Sequence, residues 1–180
     1  MLNGINIDGL NDYIQLITEE PGEAISSYGI KASWKGGVKT EIRTLDQQVG
    51  SKHIKKDFKF DIGEPEELLG DNSLPTPQDY LLGGLAGCMM VNFVLGAAKR
   101  NIKLDSVELT ITGDLNLRGF LNVDKEAPIG FDEIKFHFDA KGDGTQNDYD
   151  VLVRNLQHFS PNYRTISDAV KLSVAKLETV

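Results

Sequence analysis

Cys88 is the residue best suited to redox or nucleophilic chemistry, because it is the only cysteine among 180 residues. A thiol reacts as its thiolate, and a peroxide oxidises it first to a sulfenic acid. One cysteine cannot form an intramolecular disulfide, so a molecule outside the chain must complete any redox cycle. The surrounding run, residues 80–98, carries no charge, and a cysteine buried in such a run commonly acts as a small hydrophobe. The residues alone leave a reactive thiol and a structural thiol open.

Other kinds of chemistry find little support in the residues. The three histidines show no metal-ligand spacing with carboxylates or the cysteine, and no glycine-rich phosphate loop follows a strand. We therefore expect no metal and no cofactor. The 27 acidic and 19 basic residues give a net charge of -8, which disfavours nucleic acid and anionic lipid surfaces as partners.

The compartment is predicted to be the cytoplasm. The first ten residues have no basic stretch ahead of an apolar one, as a secretory signal would, and a single cysteine suits a reducing compartment. The alternative is that residues 80–98 span a membrane, since the run is long enough and Gly83 and Gly87 have the spacing of a helix-packing motif. Asn92, the glycines and the flanking strand patterns favour a buried helix of a soluble protein instead.

The N-terminal half is predicted to contain one helix followed by three strands. Residues 8–19 place apolar side chains on one helical face. From there the period changes to two, and residues 28–34 and 38–45 flank a glycine turn, which predicts a hairpin. A third strand is predicted over residues 53–62.

The central element is predicted to be a helix from Pro77 to about Arg100, capped by Thr76, with Asp79 favourable in its first turn. It is apolar on all sides and should be buried on all sides, for which a second subunit is a natural partner. Beyond this helix, alternation of apolar and polar residues predicts two pairing strands, residues 104–117 and 131–140. A helix capped by Asn147 or Asp148 is predicted next, with Leu152, Leu156 and Phe159 on its inward face. A helical turn at 160–166 and a final strand over residues 169–177 are predicted to follow. This order predicts an α+β fold in a single domain, residues 1–180.

Helix geometry limits how Cys88 can be activated. It lies about eleven residues into the predicted helix, roughly 16 Å from its start at 1.5 Å per residue, too far for the helix dipole to act. Gln78 is about 15 Å away along the same straight helix. A kink at Gly83 and Gly84, or the same helix of a second subunit, would be needed to bring the two side chains together.

Several stretches resemble the OsmC-like family, relatives of osmotically induced and organic hydroperoxide resistance proteins. They are PTPQDYLL at the start of the central helix, LAGC around Cys88, KRNIKLDSVELTITGDLNLRGFL after it and SPNYRTISDAVKLSV near the end. The resemblance implies an intertwined α+β homodimer, in which antiparallel sheets wrap a long buried central helix. It also implies active sites at the subunit interface and reduction of hydroperoxides, preferably organic ones.

The resemblance places Cys88 on the peroxidatic position. Ser160 stands where peroxidatic relatives carry a second cysteine, and Gln78, followed by Asp79, stands where they carry a glutamate. A serine cannot resolve a sulfenic acid as a disulfide, and a glutamine brings no charge. The resemblance also implies an arginine that stabilises the thiolate and is oriented by that glutamate. Arg43 corresponds to this arginine, or a lysine, Lys39, takes its place. His53 matches a residue of some relatives without an assigned role.

Two functions remain open on this basis. The first is a thiol peroxidase that reduces organic hydroperoxides through a single peroxidatic cysteine and uses an external thiol as reductant. The second is a non-catalytic dimer that has a structural role or binds an apolar small molecule in an interface cavity lined by Leu85, Met89, Met90 and Phe93.

Overall fold

The computed structural model of the chain describes residues 1–168 and 170–173. Its contacts divide the chain into two compact units, Met1–Leu81 and Leu82–Val180. Both combine helices with small antiparallel sheets, so the predicted α+β class is confirmed. One long helix starts at the end of the first unit and continues into the second.

The first unit contains helix α1 and six short strands. Helix α1 (Ile7–Glu19) begins at Asn6, whose side chain accepts a hydrogen bond from the backbone N–H of Gly9. This helix confirms the first prediction. The strands form two three-stranded sheets with the orders β1-β4-β5 and β2-β3-β6. Their bounds are β1 Ser26–Ser27, β2 Ile30–Trp34, β3 Thr40–Thr44, β4 Gln47–Val49, β5 Lys52–Ile54 and β6 Lys59–Ile62.

The predicted hairpin is confirmed as β2 and β3, with positive φ angles at Gly36 and Gly37 in its turn. The prediction of one third strand over residues 53–62 is wrong, because that segment is divided between β5 and β6 in different sheets. Between them the backbone N–H of Lys56 donates to the Asp46 carboxylate, and that of Phe58 donates to Thr44 Oγ1. These bonds to side chains replace a continuous ladder, so the chain can change sheets.

The second unit is built around helix α2 (Pro77–Lys99) from Leu82 onward, as predicted. Strands β7 (Leu104–Leu115) and β8 (Phe131–Gly142) form one antiparallel pair, which confirms the predicted pairing. The short helix α3 (Leu117–Phe120) lies in their connection, and helices α4 (Gln146–Phe159) and α5 (Pro161–Ser167) follow. The buried core of the unit consists of Leu85, Met89, Phe93, Ala97, Ile102, Leu152 and Leu156.

The contact between α2 and α4 explains why a glycine stands at position 96 of α2. A Cβ atom at Gly96 would lie 2.8 Å from Leu152 Cδ2, so the two helices approach closely there. Phe93 stacks on Phe138 with ring centroids 4.7 Å apart, and Tyr149 lies on the same aromatic cluster. The core therefore joins one face of α2 to β8 and α4.

The sequence predicted that helix α2 is buried on all sides. Within the described chain, one side of the helix is exposed. Leu85, Met89, Phe93, Ala97 and Ala98 are buried, whereas Leu81 is 47% and Val91 61% exposed. The helix has the length and apolar composition that a membrane span requires. A soluble protein's core helix meets the same two requirements, and five buried side chains mark one face of α2 as core.

Three predictions for the C-terminal part need correction or lie beyond what is described. Helix α4 is capped by Thr145, not by Asn147 or Asp148: Thr145 Oγ1 accepts from the backbone N–H of Asp148, whose carboxylate bonds back to Thr145. Phe159 is 66% exposed because the helix ends there. The predicted final strand falls largely outside the described residues, and its described part, residues 170–173, forms no strand.

Candidate functional site around Cys88

Cys88 lies on α2 with its thiol against the junction of α4 and α5. The residue is half-buried, between the core residues Leu85 and Met89. Its Sγ accepts a hydrogen bond from Ser160 Oγ at 3.3 Å and one from the backbone N–H of Asn162 at 3.5 Å. Two donors therefore point at the one atom of the chain that can act as a thiolate, and hydrogen bonds to an anion stabilise it.

Ser160 is fully buried, with none of its surface exposed. It occupies the N-cap position of α5, but its side chain makes no capping bond to that helix. Its hydroxyl points at Cys88 instead. The resemblance placed Ser160 at the position of a second cysteine, and the tertiary structure brings these two side chains into contact across 72 residues of sequence.

Two asparagine side chains fix the junction to α2 on either side of Cys88. Asn162 Nδ2 donates to the backbone oxygen of Gly84 at 2.8 Å, four residues before the cysteine. Asn92, four residues after it, donates through Nδ2 to the backbone oxygen of Phe159 at 2.8 Å. Residues spaced by four lie on one helical face. The two amides thus bracket the thiol.

Gln78 and Asp79 lie in the first turn of α2, within the first unit. Asp79 has a clear structural role: its Oδ2 accepts from the backbone N–H of Thr76 at 2.8 Å, and its own N–H donates to Thr76 Oγ1 at 3.2 Å. This reciprocal pair is a capping box that starts the helix. The side chain of Gln78 makes no hydrogen bond or ion pair within the described part of the chain.

Arg43 belongs to a charged cluster on the β2-β3-β6 sheet of the first unit. Its Nε donates to Glu41 Oε1 at 3.0 Å, two residues earlier on the same strand. Glu41 is only 8% exposed, and its other oxygen contacts Lys59 Nζ at 2.6 Å and Lys35 Nζ at 3.4 Å. The hydrogen bond from Lys59, followed by that from Arg43, lowers the pKa of Glu41 to about 2.

The two other candidates in the first unit contact carboxylates of their own. Lys39 Nζ lies 2.7 Å from Asp71 Oδ2, and this contact lowers the pKa of Asp71 to about 2. His53 Nε2 lies 3.1 Å from Asp46 Oδ2, with both side chains largely exposed. Of the two basic candidates, Arg43 is the one held in place by a nearly buried carboxylate.

The carboxylate of Glu41 is expected to make the stability of the protein depend on acid pH. Its pKa is about 2 in the folded chain and 4.5 ordinarily, so its contribution is fully present above pH 4.5. It is lost as the pH falls from 4.5 toward 2, because protonation removes the ion pairs. In urea unfolding, the wild type should exceed Glu41→Gln in midpoint at neutral pH, and the difference should close in this range. A difference that is independent of pH would contradict the assignment.

Three residues with clear roles in these contacts were not predicted as functional candidates from the sequence: Glu41, Asn92 and Asn162. A signal existed for Glu41, since residues two apart on a strand share a face and Glu41 and Arg43 have opposite charges. Asn162 gives no such signal, because its partners are 74 and 78 residues away in sequence. Only folding brings these partners together.

The fold and the site together define an α+β protein that carries a single hydrogen-bonded thiol on a long central helix. The family model described as OsmC-like protein matches residues 70–175, more than half of the chain. The chain belongs to the OsmC-like family. No curated protein matches the sequence.

Solved structures with the same fold have low sequence identity to the chain. An OsmC-like protein from Mycoplasma pneumoniae is 17% identical, with a TM-score of 0.61 and coverage of 78% of this chain and 87% of that one. An organic hydroperoxide resistance protein OsmC from Legionella pneumophila is 23% identical, with a TM-score of 0.53 and coverage of 78% and 88%. An organic hydroperoxide resistance protein from Elizabethkingia anophelis, 17% identical, has a TM-score of 0.54 and coverage of 77% and 86%. These likenesses support the OsmC-like fold.

Proposed function

We propose that this chain is a thiol peroxidase that reduces organic hydroperoxides at Cys88 and is regenerated by an external thiol. The observation that carries the proposal is the half-buried Sγ that accepts hydrogen bonds from Ser160 and from the backbone of Asn162. A thiol that serves only as core filler needs no such donors. The names of the Legionella and Elizabethkingia proteins support hydroperoxides as the substrate class.

The first step is attack of the Cys88 thiolate on the distal oxygen of the hydroperoxide. The S–O bond forms as the O–O bond breaks, Cys88 is oxidised to a sulfenic acid, and the alkoxide leaves as an alcohol after it takes up a proton. Ser160 Oγ and Asn162 N–H hold the sulfur anion before attack.

The second step needs a thiol that this chain does not contain. An external thiol attacks the sulfenic sulfur, water leaves, and a mixed disulfide forms on Cys88. A second external thiol, or the second sulfur of a dithiol, then releases Cys88 and becomes part of the product disulfide. Ser160 cannot perform this step, but its hydroxyl can remain hydrogen-bonded to the oxidised sulfur.

We propose Arg43 for the arginine position of the family pattern, with Glu41 as the carboxylate that orients its side chain. The family pattern would assign that orienting role to the position of Gln78, which is uncharged in this chain. Glu41 supplies a negative charge 3.0 Å from the Arg43 guanidinium and stays ionised down to about pH 2. A fixed bond at Nε leaves the two terminal nitrogens of Arg43 available as donors.

A homodimer is part of the proposal. Gly83 and Gly87 are exposed on α2, and a Cβ at either position would meet nothing within 4 Å. With the exposed Val91, they leave one side of an apolar helix without a partner in the described chain. Glycines on a helix face allow close approach of another backbone. A second copy of the chain would bury this side and complete the site at the interface.

Cys88 is expected to form a sulfenic acid when the purified protein receives less than one equivalent of an organic hydroperoxide. The expected result is one dimedone adduct, located on Cys88 by mass spectrometry, and consumption of further hydroperoxide only when a dithiol is added. Cys88→Ser should show neither. Met90→Leu, a matched change next to Cys88 on α2, should keep both, since it removes only another oxidisable sulfur.

A protein that forms no adduct would not be a peroxidase. The second candidate function is a non-catalytic dimer that binds an apolar small molecule. It is favoured by one observation, a groove of about 500 Å³ between β8 and α4 in the second unit. Apolar and aromatic side chains line much of it, namely Phe93, Phe136, Phe138, Tyr149 and Val153. Met89, which was predicted to line a cavity at the dimer interface, is fully buried in the core of the second unit instead. An apolar ligand retained in native mass spectrometry by wild type and Cys88→Ser alike would support this function.

A further inference from the structure

The hydrogen bonds of Asn162 point to a role at Cys88 that its sequence position does not indicate. Asn162 contacts the site twice: its backbone N–H donates to Cys88 Sγ at 3.5 Å, and its side-chain Nδ2 donates to the Gly84 oxygen at 2.8 Å. The Gly84 oxygen is the helical acceptor one turn before Cys88. The side chain therefore ties the backbone of residue 162 to the same turn of α2 that carries the thiol.

Asn92 makes the complementary bond one turn later. Its Nδ2 donates to the Phe159 oxygen, the last carbonyl before Ser160. The segment from Phe159 to Asn162 is thus attached to α2 at both of its ends, and the two donors to Sγ lie within it. Donors held in advance at the reacting atom stabilise its charge without reorganisation.

We propose that Asn162 is a positioning residue for Cys88, assisted by Asn92, and that its side-chain amide keeps Ser160 Oγ–H and its own N–H directed at the sulfur. The inference deepens the proposed function and rests on it for the peroxide reaction. Ser160 and Asn162 then share the task of holding the sulfur, whereas no residue of this chain performs the resolving step. The reactivity of Cys88 depends on an amide that never contacts substrate.

Asn162→Leu tests the proposal because leucine has the branching and the number of heavy atoms of asparagine but cannot donate to Gly84. The rate of reaction with cumene hydroperoxide is expected to fall about tenfold, because the backbone N–H of residue 162 is then no longer held against the sulfur and one hydrogen bond to the thiolate is lost. The rate of alkylation by iodoacetamide should fall in parallel. Asn162→Gln, which keeps a side-chain amide donor, should give rates between those of the wild type and of Asn162→Leu.

The S–H stretching band in the Raman spectrum provides a readout that a merely structural role would not move. Since the chain has one cysteine, the band reports Cys88 alone. It should shift in Asn162→Leu and stay in place in Gln157→Ala, which removes an exposed amide of α4 that makes no hydrogen bond to α2 in the described chain. Thermal unfolding of each variant shows that it is folded.

Failure of this inference and failure of the proposed function can be told apart. If Asn162→Leu is folded and keeps both the wild-type alkylation rate and the wild-type band, Asn162 is not a positioning residue, whether or not the protein reduces peroxide. If the wild type forms no sulfenic acid but the variant shows the slower alkylation and the shifted band, the positioning role holds and the peroxidase function falls.

Discussion

Ser160→Cys is expected to form an intrachain disulfide with Cys88 when the protein meets an organic hydroperoxide. Ser160 Oγ lies 3.3 Å from Cys88 Sγ, so a sulfur at that position is in contact with it. Cys88 is oxidised to the sulfenic acid, the introduced thiol attacks its sulfur, and water leaves as the S–S bond forms. The variant should yield no dimedone adduct and one intrachain disulfide, detected by a mass two hydrogens lower than that of the reduced chain.

The disulfide in the oxidised Ser160→Cys variant should also raise the free energy of unfolding. The cross-link closes a loop between residues 72 positions apart, and the chain-entropy model gives about 4 kcal/mol for a loop of that size. The unfolding midpoint in urea should therefore be higher for the oxidised variant than for its reduced form. Ser167→Cys, which adds an exposed thiol at the end of α5, is the matched control and should form no disulfide with Cys88. A Ser160→Cys variant that still gives the adduct would contradict the placement of Ser160.

Phe93→Ala is expected to destabilise the second unit by about 3 to 5 kcal/mol, the usual range for removing a buried aromatic side chain. Phe93 is fully buried and stacks on Phe138 at 4.7 Å. Its removal leaves a cavity between α2, β8 and α4 that close-packed neighbours cannot fill. Urea unfolding, followed by circular dichroism, measures the loss.

Phe120→Ala provides the control for this second prediction. Phe120 is 56% exposed in the connection between β7 and β8, so its truncation should change the free energy of unfolding by less than about 1 kcal/mol. Equal effects of the two substitutions would show that Phe93 is not at the centre of the core.

Much of the local structure could be predicted from the sequence because it depends on short-range periodicity. Helix α2 combines a Thr76 cap, a proline at its first position and an uninterrupted apolar run, and it was predicted to within a residue at its C-terminus. The pairing of β7 with β8 followed from alternation in two long segments. The third predicted strand was wrong, because backbone N–H groups of this segment donate to the side chains of Asp46 and Thr44 where the periodicity of a strand continues.

For the candidate site, the sequence indicated single residues but not the contacts between them. Cys88 followed from being the only cysteine in an uncharged helix, and Ser160 from its place in a motif that resembles the OsmC-like family. Neither observation indicated that the two side chains touch. The role of Glu41 beside Arg43 also required the sheet, since its near burial and its contact with Lys59 depend on the β3-β6 register.

By itself the sequence determined the α+β class, the family resemblance, the central helix and the absence of a second thiol, which are properties of composition and local pattern. Only the tertiary structure decided that Ser160 and Asn162 direct their donors at Cys88 Sγ and that Asn92 and Asn162 bracket it. The physical reason is distance along the chain. These partners are 67 to 78 residues apart, and hydrogen bonds over such separations form only after packing of the core has brought α2 and the α4-α5 junction together.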